Sequence, residues 1–114
     1  MTALIAQRMQ ECLDACLRCL KACETCASAC LTEPEIDMLR ECIRLDRDCA
    51  DVCALTAQLL MRGSELYAHA ARLCAEACAR CAEECEQHGR HHQHCQVCAE
   101  ACRACEAACR AVAA

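Results

Sequence analysis

Cys16-Leu17-Arg18-Cys19-Leu20-Lys21-Ala22-Cys23 sets three cysteines three and four residues apart, and the rhythm runs back to Cys12 and on to Cys26 and Cys30. Read at 3.6 residues per turn, that spacing gathers every thiol onto one helix face; read as a strand, it would scatter them over both. The octet returns as Cys74-Ala75-Glu76-Ala77-Cys78-Ala79-Arg80-Cys81 and as Cys98-Ala99-Glu100-Ala101-Cys102-Arg103-Ala104-Cys105. A sparser seam holds Cys42, Cys49 and Cys53, and Cys85, Cys95 and Cys109 complete the set, every interval within a segment being three, four or seven. This is the a/d rhythm of a helix bundle, with cysteine in the places of leucine.

Few chain breakers separate the segments. Thr2 is placed to cap the first, and Thr32-Glu33-Pro34-Glu35 opens the second with capping-box spacing and a proline suited to a first turn. Gly63 stops the second, Ser64-Glu65 caps the third, and Gly89 is expected to end the third in the left-handed conformation. The expected helices span about 3–31, 33–62, 65–88 and 91–112 within a single domain covering 1–114. Short connections make neighbours antiparallel, so the fold class is all-α: an up-down-up-down four-helix bundle with a Cys-lined core.

Composition agrees. The 114 residues include 18 Cys and 24 Ala but one Tyr and no Phe or Trp, so an ordinary apolar core is thin. Two Gly and one Pro are too few for a β-sandwich or a loop-rich disulfide scaffold. Net charge is −5 and the basic residues are dispersed singly, which leaves no footprint for nucleic acid. There is no basic N-terminal segment leading into an apolar run and no window of membrane-spanning length, so a cytoplasmic location without membrane contact is expected. Thiols stay reduced there, and a Cys-dense chain in that setting points to metal rather than to a disulfide framework.

Two plainer readings of the cysteines fail. As inert packing, 18 small thiols in register would build a weaker core than Leu with nothing gained. As intrahelical disulfides, residues i and i+4 hold their Cβ atoms about 5–6 Å apart where a disulfide needs about 3.5–4.5 Å. A metal suits the spacing: with bonds of about 2.3 Å, two thiolates on one linear ion sit about 4.6 Å apart, within reach of i,i+4 side chains. Zinc in tetrahedral sites would occupy about four sites and leave the interior near −10, a costly buried charge. A soft monovalent ion, Cu(I) at about one per Cys, replaces one thiol proton each and leaves the charge unchanged. Iron–sulfur clusters are disfavoured by the helical spacing, and no Glu-x-x-His pair supports a di-iron bundle.

Aligning the four seams yields a column of levels. The outermost holds Cys30, His88 and His91, followed by Cys26, Met38, Cys85 and Cys95. Below come Cys23, Cys42, Cys81 and Cys98, then Cys19, Leu45, Cys78 and Cys102. Cys16, Cys49, Cys74 and Cys105 follow, then Cys12, Cys53, Ala71 and Cys109, before an apolar closed end. His88 and His91 continue the cysteine seam and are the expected metal ligands at the mouth, with Met38 as a soft relay; the spacing leaves His92 and His94 without an assigned role. The acidic residues read as solvated faces. No nucleophile–base pair stands out, and a redox-active Cys needs a partly exposed electropositive setting, so no enzymatic activity is expected.

These repeated Cys-x-x-x-Cys and Cys-x-x-Cys seams over essentially the whole chain resemble the bacterial copper storage proteins. The missing export signal and the His-bearing turn resemble the cytosolic branch, where exported members lean more on Met. The resemblance implies high-capacity copper storage through thiolate binding of many Cu(I) ions, and assembly into a homotetramer. The alternative is metallothionein-like zinc or cadmium binding and detoxification, separable by stoichiometry.

Overall fold

The computed structural model describes residues 2–113. Four α-helices form among these residues: α1 (Ala3–Cys30), α2 (Arg40–Met61), α3 (Tyr67–His88) and α4 (Gln93–Ala113). α1 packs against α2 and α4, and α3 packs against the same two, so the helices stand in a square with each neighbour antiparallel. The bundle is slender, 50 × 20 × 17 Å. Helix propensity comes from Ala, and the small Ala side chains beside the seam, such as Ala27, Ala50, Ala75 and Ala99, are almost fully buried and let the helices approach closely.

Thr2 caps α1 as expected, accepting from the Ile5 amide at 3.2 Å. The second helix departs from expectation. Thr32 donates its hydroxyl to the Ala29 carbonyl at 2.9 Å and closes α1 instead of opening α2. A 3-10 turn at Ile36–Leu39 follows, and α2 begins only at Arg40. The capping box fails because Glu33 and Glu35 reach across to histidines of the α3–α4 turn. Gly63 takes φ +65° and completes a Schellman turn, with Ser64 N–H bonded to the Leu59 carbonyl and Gly63 N–H to that of Leu60. Ser64 does not cap α3 as expected: its Oγ accepts from the Leu66 amide, and the helix begins at Tyr67, two residues later than expected, with no side-chain cap. Gly89 is right-handed at φ −62°, contrary to the expected left-handed terminator, because the chain keeps turning through His91 and His92, whose amides both bond the His88 carbonyl. α4 consequently starts two residues later than expected.

Candidate metal centre

All 18 cysteines lie at zero exposure along the bundle axis, and none is joined in a disulfide. Of the eight i,i+4 pairs, seven (19/23, 26/30, 49/53, 74/78, 81/85, 98/102 and 105/109) hold their sulfurs 3.8–4.0 Å apart. Across helices the separations are as short: Cys42–Cys85 at 3.5 Å, Cys49–Cys78 at 3.6 Å, and Cys12–Cys109, Cys53–Cys74 and Cys23–Cys102 at 3.7 Å. Four-sulfur groups follow one another along the axis: 16/74/105/109, 19/53/78/105, 19/23/49/102 and 23/81/98/102. Cys19, Cys23, Cys102 and Cys105 each serve two of them. At about 2.3 Å per bond, a trigonal metal spans sulfurs about 4.0 Å apart, so three-coordinate and bridging arrangements fit as the thiols stand, whereas a linear bridge needs side chains to swing outward.

Among the cysteine levels, α2 alone departs from the register read in the sequence. Cys42 meets Cys85 rather than Cys81, and Leu39, fully buried, holds the place above it. Met38, expected on the seam, is instead 71 % exposed. The 3-10 turn has three residues per turn, so a spacing of four before Cys42 no longer points inward there. Leu45 likewise yields the seam to Asp46, which is fully buried. Its carboxyl accepts from Cys81 at 3.1 Å, Cys98 at 3.4 Å, Cys85 at 3.5 Å and Cys42 at 3.9 Å. Its charge predicts a solvated face, and the fold buries it instead. The alternation 42, 46, 49, 53, 56 in steps of four and three was the available signal, and Thr56 ends it by donating to the Val52 carbonyl at 2.8 Å.

Burial, reinforced by Cys98 and Cys42, pushes the Asp46 carboxyl up to about 9. Burial likewise raises Cys30 to about 12, Cys42 adding to it. Hydrogen bonding from Cys109 and Cys16 draws Cys12 down to about 5, while bonding with Cys105 and Cys109 pushes Cys16 up. Adjacent thiols in one dry column cannot all carry charge, so each thiolate formed suppresses its neighbours until a cation arrives.

At the mouth, His94 rather than His88 or His91 joins the sulfurs. Its Nδ1 lies 3.4 Å from Cys26, 3.6 Å from Cys95 and 3.9 Å from Cys30. Its Nε2 faces Glu33 Oε1 at 3.3 Å. His88 pairs with Glu84 of its own helix at 2.8 Å, His91 is exposed, and His92 sits between Glu33 and Glu35 at 3.6 and 3.2 Å. Because α4 starts at Gln93, residue 91 lies outside the helix whose spacing selected it. Residue 94 is four before Cys98, which is the signal that could have found it.

A sequence profile described as copper storage protein matches residues 5–114. The chain belongs to the copper storage protein family. Among solved structures, a cytosolic copper storage protein from Streptomyces lividans described as loading copper (five coppers) is 45 % identical, with 98 % of this chain and 97 % of that one covered and a TM-score of 0.94. The same organism's protein loaded with 10 copper equivalents gives 47 % identity over 94 % and 84 % of the two chains, TM-score 0.91. The apo protein of Bacillus subtilis gives 43 % over 92 % and 98 %, TM-score 0.83. No curated protein sequence matches. No helix among the described residues is long and apolar enough to cross a membrane. A storage role fits a chain whose cysteines form one continuous interior.

Proposed function

We propose that the whole chain is one cytosolic storage unit that takes up Cu(I) at about one ion per cysteine and holds it away from water and oxygen. The observation that carries this reading is the sharing of sulfurs between successive groups, because bridging thiolates suit many soft monovalent ions and not a few closed divalent sites. Each Cu(I) displaces one thiol proton, so the filled core gains no charge. The 18 cysteines and His94 are the proposed ligands, while His88, His91 and exposed Met38, set around the mouth, meet arriving ions first. Val97, exposed on α4 in a groove lined by Ala22, Ala101 and Ala104, supports a homotetramer through that face.

Anaerobic titration of the reduced protein with Cu(I) against a competing chelator tests the reading. Saturation near 18 equivalents supports it; saturation near four equivalents refutes it in favour of zinc or cadmium binding. Sedimentation of the apo and loaded protein tests the tetramer separately.

A further inference from the structure

Four features set Cys26, Cys30, Cys95 and His94 apart from the sulfur groups inside the bundle. The donor set is three sulfurs and one imidazole, and it shares no member with the four interior groups named above. Cys26 stands 4.0 Å from Cys30 and 3.9 Å from Cys95, with His94 Nδ1 3.4–3.9 Å from all three. A tetrahedral zinc ion with bonds of about 2.3 Å to sulfur and 2.0–2.1 Å to nitrogen needs edges of about 3.8 and 3.6 Å. The four interior groups named above have similar edges but consist of buried thiols alone: a divalent ion on four thiolates leaves −2 in a dry core, while three thiolates and a neutral imidazole leave −1 beside a partly exposed ring. The fourth feature is Glu33. A carboxylate can only accept, so Nε2 keeps its proton toward Glu33 and Nδ1 presents its lone pair to the sulfurs, the outer-sphere arrangement of zinc-bound histidines.

We propose that this mouth cluster is a tetrahedral site for one zinc-class divalent ion per chain, with Glu33 as the residue that positions His94. Binding breaks three S–H bonds, forms three metal–sulfur bonds and one metal–nitrogen bond, and releases three protons to solvent. Nothing is oxidised. An ion there occupies the first sulfurs a copper ion reaches, so zinc and copper compete for the opening, and Cu(I), the softer ion, displaces zinc as it loads.

Cobalt(II) and zinc(II) titrations of the reduced apo protein test the proposal, with a Cu(I) titration of the same sample run beside them. One equivalent of Co(II) should give tetrahedral d–d bands that one equivalent of Zn(II) bleaches. His94→Ala should abolish the bands, and Glu33→Gln should weaken Zn(II) binding about tenfold. Pre-bound zinc should leave with the first few equivalents of Cu(I). Divalent uptake in several equal equivalents, bands that survive His94→Ala in a variant of unchanged helicity, or no tetrahedral bands at all would each overturn it. Copper capacity is read independently, so failure here is distinct from failure of the storage reading.

Discussion

Asp46→Asn in the metal-free protein should raise stability by an amount that grows with pH. The carboxyl is fully buried and pushed from 3.8 to about 9 by burial and by the Cys98 and Cys42 thiols. Between those two values the folded chain keeps the Asp46 proton while the unfolded chain loses it. The folded pKa is raised, so stability is greatest below the unfolded value and falls as pH climbs toward 9. Each unit costs about 1.4 kcal/mol, or about 3 kcal/mol between pH 5 and pH 7, on the order of ten degrees in melting temperature for a chain of this size. Asn keeps the shape and an acceptor oxygen without the ionisation. Thermal and urea unfolding under argon at pH 5, 6 and 7, for the parent and the variant, measure the difference. A difference independent of pH, or a variant that loses ground as pH rises, would refute the protonated buried acid.

Loading with Cu(I) should raise the melting temperature steeply, because ligation ties four helices whose interior is otherwise small thiols; calorimetry of apo and loaded samples checks it. Leu39→Ala should cost about 2–4 kcal/mol in urea unfolding, since this fully buried side chain is the large aliphatic group at the mouth level. His94→Ala should slow the first copper equivalents in stopped-flow uptake more than His88→Ala or His91→Ala does. All three should leave total capacity within an ion or two of the parent.

How much was legible in the sequence follows from which spacings the backbone respects. Cysteine on a three-four rhythm reports a helix face directly, and every cysteine so chosen is buried on the axis. The reading failed where a helix was extended through residues that are not helical. Met38 and His91 both lie outside α-helices, in the 3-10 turn and in the turn before α4, and there a spacing of four carries no direction. Asp46 was hidden by its charge: a carboxyl is presumed solvated, and only the four-three alternation across Cys42, Cys49, Cys53 and Thr56 outweighs that presumption. Glu33 and Glu35 were invisible as partners of His92 and His94, because ion pairs between two turns depend on how the helices close, not on local sequence.

The axis below the last thiols is plugged by Thr56, Ala57, Leu59, Ala70 and Ala71, all buried, while the other end carries His94 and its exposed neighbours. A column blocked at its foot works as a stack. For ions that pass from sulfur to adjacent sulfur, copper deposited last would be the first to leave and the oldest copper the slowest to turn over. Such a column would keep a deep reserve beneath a quickly exchanging surface, and a cell drawing on it briefly would recover mainly what it had most recently put in.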